Sequence, residues 1–139
     1  MSVAGVTGWT PRSDPGRSST DAGTAPDGTP ALSLKCLAEG ATASWRRRLR
    51  LPEGKYVIEA RVRSEGLKAR VDAQGTGVGL RITGRKRTNS LESSSDWTVL
   101  SEPFEATAGR EYEFQVEMRA DAGTVWIDQG SLRLRRARE

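Results

Sequence analysis

The sequence predicts an all-β fold, an antiparallel β-sandwich, and three observations carry that prediction. Apolar and polar residues alternate with period two in several stretches. The clearest sets Tyr112, Phe114, Val116 and Met118 against Glu111, Glu113, Gln115, Glu117 and Arg119. No stretch of helical length repeats its apolar residues with the period of an α-helix. Hydrophobic content is low at 35% and there are 15 glycines, which suits many short strands joined by turns better than a helical bundle. A chain of 139 residues has the length of one domain with a core of its own.

Residues 1–30 are rich in Gly, Ser, Thr, Pro and Asp, with Val3, Val6 and Trp9 as apolar anchors, and read as loop or linker. Residues 1–26 are therefore expected as an N-terminal extension, packed on the sandwich through Trp9 or in part disordered. Residues 27–139 are expected as the β-sandwich. A strand follows at Ala31–Cys36 with Leu32 and Leu34 on one face, and Glu39-Gly40 turns the chain. Ala43–Leu51 puts Trp45, Arg47, Leu49 and Leu51 on one face and Arg46, Arg48 and Arg50 on the other. Arg47 interrupts an apolar set, so it is expected at the strand's edge or with its head group turned outward.

After the turn Pro52-Glu53-Gly54, Lys55–Ser64 sets Tyr56, Ile58, Ala60 and Val62 against Val57, Glu59, Arg61 and Arg63. A polar connection over 65–76 leads to Val78, Leu80 and Ile82 facing opposite Gly79, Arg81 and Thr83. Gly79 leaves a gap on that face suited to the close approach of a neighbour or ligand. The segment 84–96 is the longest loop. Trp97–Ala106 is a strand whose Pro103 places it near an edge. The strand beginning at Glu111 is expected to turn at Asp121-Ala122-Gly123, since Gly takes positive φ at no steric cost, and to return as Thr124–Asp128. Leu132 and Leu134 then alternate with arginines. The tally is about seven or eight short strands at regular spacing.

Charge and special residues narrow the function classes. Net charge is +4, with eighteen Arg against four Lys, yet the eighteen acidic residues are interleaved with the basic ones, so nucleic acid is not the favoured partner. The chain has no histidine, which removes the commonest member of zinc sites and of acid–base triads. The single cysteine, Cys36, lies between leucines and reads as a small buried hydrophobe. No carboxylate pair sits in a glycosidase motif, so the expectation is a protein that is not an enzyme. No apolar run approaches membrane-spanning length, and the first residues lack the pattern of a secretory signal.

The order of four segments is more specific. DGTPALSLK, ATASWRRRLRLPEGKYVIEARVRSEG, SSDWTVLSEPFEATAGREYEFQVEM and AGTVWIDQGSLRL together resemble the jelly-roll carbohydrate-binding modules of the galactose-binding domain-like superfamily, over roughly residues 27 to 135. The resemblance lies in the Gly-Lys-Tyr turn, the Trp97 strand leading to Phe104, and Trp126, Asp128 and Leu132 at the end. It implies a jelly roll that binds polysaccharide or glycan without catalysis. It also implies an accessory role beside other domains of a larger exported or surface protein. In such modules an acidic residue of the first strand often helps to hold a structural calcium. Here Ser2–Thr10 has no Glu, so a calcium would rest on Asp27 and Asp128. The alternative is that Asp27 starts an Asp-Gly turn and Asp128 hydrogen-bonds a loop.

The polar strand faces offer a ligand groove of Glu59, Arg61, Arg63, Arg81, Gln115, Glu117 and Arg119, provided that those strands share a sheet. The competing reading is a solvated face of cross-strand Glu–Arg pairs. A second candidate is the rim loop with Arg85, Arg87 and Asn89, against a mobile solvated loop. Trp45, Trp97 and Trp126 fall where the resembled modules use rings for packing, and Tyr56, Phe104, Tyr112 and Phe114 lie on apolar faces. Three functions follow: a carbohydrate-binding module, a structural or protein-interaction sandwich with no sugar site, or a binder of anionic polymers through Arg-rich faces.

Overall fold

The computed structural model describes residues 7–70 and 76–137 in full and the backbone of 3–5. Val3 and Val6, expected as anchors, fall outside the described side chains, and so does part of the expected 65–76 connection. Ten strands run in order β1 (Val3–Gly5), β2 (Thr10–Ser13), β3 (Ser18–Thr24), β4 (Pro30–Cys36), β5 (Ala41–Arg50), β6 (Gly54–Ala69), β7 (Gly77–Ile82), β8 (Ser95–Ala106), β9 (Glu111–Asp128) and β10 (Arg133–Arg136). A 3₁₀ turn, Gln129–Ser131, precedes β10. Residues 10–13 and 18–24, expected as loop, pair instead as edge strands: β2 with β5, and β3 with β4. Their Ser, Thr and Gly carry little apolar signal because these two edge strands bury almost nothing.

All pairings are antiparallel, and they build a sandwich of two layers. The first layer has the order β2-β5-β9-β7 and uses the first half of β9. The second has the order β3-β4-β9-β6-β8 and uses the second half of β9, with β10 and β1 continuing alongside β6. The inward faces meet in one core. Trp45, Leu80, Phe114 and Met118 come from the first layer, Leu34, Ile58, Val62 and Phe104 from the second. Each such side chain contributes about 1.5–3 kcal/mol by leaving water. Tyr56, Phe104, Tyr112 and Phe114 form an aromatic cluster with centroids 5.3–5.7 Å apart, as their alternation predicted. Both phenol oxygens find backbone partners, Tyr56 at Pro52 and Tyr112 at Thr107.

The expected hairpin at Asp121-Ala122-Gly123 is not a hairpin. β9 is continuous for 18 residues: where the turn was expected Ala122 pairs with Lys68 of β6, and on the other side the partner changes from β5 at Ala120 to β4 at Thr124. What looked like a turn is a change of phase. Tyr112, Phe114, Val116, Met118 and Ala120 face inward, whereas further on the inward set is Val125 and Ile127. The strand passes from one layer to the other across that step. Gly123 has φ +116°, and a Cβ there would lie 2.5 Å from the Leu67 Cα. Close approach of β6, rather than chain reversal, is what requires glycine. β6 bends in the same place, with register shifts between Val62 and Ser64 and between Glu65 and Lys68, and extends to Ala69, beyond the expected end at Ser64.

Arg47 lies half-buried at the sandwich edge, as expected of a charged residue in an apolar row. Its Nε donates to the Thr7 carbonyl at 2.8 Å and its Nη1 to that of Arg48 at 2.8 Å. Trp9 packs against the core. Cys36 is half-buried against the core rather than fully buried; burial pushes its thiol pKa up.

Candidate functional site

The proposed groove divides between two surfaces. Glu59, Arg61 and Arg63 lie on β6 opposite Ile58, Ala60 and Val62, and point out of the second layer. Arg81, Gln115, Glu117 and Arg119 lie opposite Leu80, Val116 and Met118, and point out of the first. Because both layers turn their apolar faces to one core, these sets are on opposite sides of the sandwich. Alternation had assigned each residue to an outward face but could not say which strands were neighbours.

On the second layer, Arg61 is the centre of a connected group. Its Nε and Nη2 donate to Asp128 Oδ2 at 3.0 and 2.8 Å, and its guanidinium lies 4.5 Å from the Trp97 ring centroid. The Trp97 indole N–H donates to Asp27 Oδ2 at 2.8 Å. Asp27 also accepts the Thr29 N–H, and these two bonds hold its pKa down at about 2. Glu59 accepts Arg135 Nε at 2.7 Å. Beside this group is a cleft of about 350 Å³ lined by Glu59, Arg61, Val99, Asp128, Ser131 and Arg133. Val99 is 59% exposed, and Trp97 and Trp126 are half-buried. Only Trp45 of these three rings is core packing; its N–H reaches the Ser33 carbonyl at 3.0 Å. The signal was present in the parity. Leu100, Phe104 and Ala106 face inward on β8, so Trp97 and Val99 face out; Val125 and Ile127 face inward, so Trp126 faces out.

Asp27 and Asp128 both have protein partners in this arrangement. Asp128 accepts from the Arg61 guanidinium and, through Oδ1, from the Gly130 N–H, capping the 3₁₀ turn. Asp27 accepts from Trp97 and Thr29. Calcium needs six to eight oxygens, so a dication would have to displace a guanidinium and an indole N–H. Among the described residues there is no cluster of three or more His, Cys, Asp or Glu able to hold a metal. The alternative roles named for both aspartates, an Asp-Gly turn and a loop hydrogen bond, describe the contacts seen.

The first layer's outer face is different. Glu117 is 1% exposed and receives three guanidinium groups: Arg87 Nη1 at 3.4 Å, Arg119 Nη2 at 3.4 Å and Arg81 Nε at 3.8 Å. Glu113 receives Arg46 Nη1 at 3.3 Å and Arg48 Nε at 3.0 Å, with the Thr83 hydroxyl at 2.7 Å. Burial pushes the Glu113 pKa up, but the hydrogen bonds from Thr83 and Arg48 and the charges of Arg46 and Arg48 outweigh it, and the pKa lies below the ordinary value. Burial, and then the nearby Arg12, lower that of Arg46.

The loop that holds Arg85, Arg87 and Asn89 is tied to the first layer by side-chain contacts. Arg87 folds back across Gly79, filling the gap that the glycine leaves, and also donates to the Thr76 carbonyl. Asn89 bonds the Leu80 N–H and carbonyl, each at 2.8 Å, like an extra strand residue. Thr88 donates to the inward-facing, buried Glu102. Leu91 pairs with Val78. Arg85 alone of the three candidates stays exposed, with its guanidinium 6.0 Å from the Tyr112 ring centroid.

Comparison with solved structures settles the fold. A family 61 carbohydrate-binding module in complex with β-1,4-galactotriose superposes with a TM-score of 0.59 at 14% identity, over 93% of this chain and 88% of that one. The chain has a carbohydrate-binding-module-like jelly-roll fold. A family 35 module from an environmental isolate gives 0.55 at 16% identity, over 100% and 94%, and a family 16 module gives 0.53 at 21%, over 91% and 89%. No family model and no curated protein matches the sequence. With identities this low, the likeness is one of architecture, and ligand residues have to be argued from this chain alone. Among the described residues, no helix is long and apolar enough to cross a membrane.

Proposed function

We propose that the chain is a non-catalytic carbohydrate-binding module, an accessory domain of a larger exported or surface protein, and that the second layer's outer face carries its sugar site. One observation carries the reading: the half-buried Trp97 indole, fixed by Asp27 and Arg61, adjoins the 350 Å³ cleft of Glu59, Arg61, Asp128, Ser131 and Arg133. Sugars need an apolar surface for their C–H faces and fixed polar groups for their hydroxyls, and the cleft has the volume of a small ligand site. Val99 extends the apolar side. Arg61 is already paired with Asp128 and Glu59 with Arg135, so the orientation of these groups is set before a ligand arrives. The fold's likeness to modules that bind sugars, one of them solved with a galactotriose, supports the same class of ligand.

The test is affinity electrophoresis against a polysaccharide panel that includes β-1,4-galactan. Retardation by a neutral polysaccharide is expected. Trp97→Ala should weaken it by about 2 kcal/mol, roughly thirtyfold, with an unchanged circular dichroism spectrum. No retardation by any member of the panel would leave a structural or protein-interaction sandwich as the better reading.

A further inference from the structure

The first layer's outer face carries a second feature, independent of the Trp97 cleft. Arg12, Arg46 and Arg48 stand there around Glu113, and Arg81, Arg87 and Arg119 reach the buried Glu117 on the same strand. Register places them there: Arg12 pairs with Ser44, Arg46 with Gln115, and Arg81 with Gln115 from the other side.

We infer that this face binds an acidic polysaccharide, whose carboxylate or sulfate groups sit between the guanidinium groups of Arg12, Arg46 and Arg48 and extend toward the Glu117 cluster. Glu113 can neutralise one of the three arginines around it, and the like charges left over repel one another in a partly desolvated setting. An anion relieves that repulsion, and the guanidinium fork matches carboxylate and sulfate oxygens. A groove of about 200 Å³ lined by Thr10, Arg12, Arg46, Arg48 and Glu113 gives the first anion a seat. Glu113 and Glu117 are four residues apart on one strand, so the two clusters lie about 13 Å apart, a span that favours a polymer over a single small anion. The outward positions of β5, β7 and β9 here are Ser44, Arg46, Arg48, Gly79, Arg81, Gln115 and their neighbours, without an aromatic ring. Single-stranded nucleic acid is bound by stacking bases on such rings, so the charges point to an acidic glycan.

Affinity electrophoresis of the full chain in polygalacturonate and in dextran sulfate, with neutral dextran and DNA oligonucleotides as competitors, tests this. Retardation by at least one acidic polymer is expected, falling steeply from 50 to 200 mM salt. Arg12 is exposed and the Arg48 side chain is 64% exposed, so Arg12→Ala with Arg48→Ala should leave the fold intact. That double variant should bind roughly tenfold more weakly. Trp97→Ala should bind acidic polymers unchanged, which separates this face from the sugar cleft. The inference is overturned if neither acidic polymer binds, if the double variant binds like the parent, or if Trp97→Ala loses acidic-polymer binding. DNA displacing the acidic glycan at equal charge would also overturn it and assign the face to nucleic acid.

Discussion

Replacing Gly79 by alanine tests how the long loop is held. Gly79 has ordinary extended backbone, so alanine costs nothing in φ, and in a strand interior it should gain about 0.5–1 kcal/mol over glycine. Against this, the new Cβ would lie 2.3 Å from Arg87 Cδ and 2.5 Å from its Nε. The stem has to move, and the buried guanidinium then leaves both Glu117 and the Thr76 carbonyl. A hydrogen bond to a charged group is worth about 1.5–3 kcal/mol, and Glu117 keeps Arg81 and Arg119, so the lower end applies. With both bonds lost at about 1.5 kcal/mol each and about 0.5–1 kcal/mol regained, the net expectation is a loss of about 2–2.5 kcal/mol, or roughly 6–10 °C in Tm for a chain of this size. Thermal unfolding by circular dichroism measures it, and a double-mutant cycle isolates the cause. In an Arg87→Ala background the same Gly79→Ala change should be neutral or stabilising. An equal loss in both backgrounds would refute the account, because the penalty would then not come from Arg87.

Other expectations are simpler to check. Gly123→Ala should cost about 3 kcal/mol in urea unfolding, since the left-handed φ and the contact with Leu67 backbone cannot both be relieved by side-chain movement. Asp27 has a folded pKa of about 2 against an ordinary 3.8, so its contribution to stability is present above about pH 4 and is lost as pH falls toward 2. Asp27→Asn should therefore remove part of the acid dependence of Tm in that window; identical acid profiles would count against the Trp97 bond. A calcium chelator should leave Tm unchanged, and a fall of several degrees would restore a calcium role for Asp27 and Asp128.

The sandwich itself was legible in the sequence because period-two alternation records which side chains face the core. Ile58, Val62, Leu80, Phe104 and Phe114 were all placed correctly by parity alone. What parity does not record is adjacency. Glu59 and Glu117 both read as outward, yet they occupy opposite surfaces, and nothing in their local sequence distinguishes the two. The β9 error has a related cause. A slip in phase beside a glycine looks the same in sequence whether the chain reverses or crosses between layers, and only the partners of Ala120 and Thr124 decide. Gly79 was the opposite case: a missing side chain on a strand face implied a close neighbour, and Arg87 is that neighbour. Trp97 was misjudged by following the family pattern where the strand's own alternation pointed outward.

That β9 serves both layers also has a consequence for how the chain becomes a protein. Its partners β4, β5, β6 and β7 all precede it, and none of β4, β5 and β7 pairs with another of the three. During synthesis these strands emerge with unsatisfied edges and wait for residues 111–128 before the two layers can close. Loop-closure entropy makes such distant pairings slow, and open edges invite pairing with other chains in the meantime. A nascent chain halted before Glu111 would be a set of separate hairpins and loose strands rather than half a sandwich. Folding is thus deferred to one late segment.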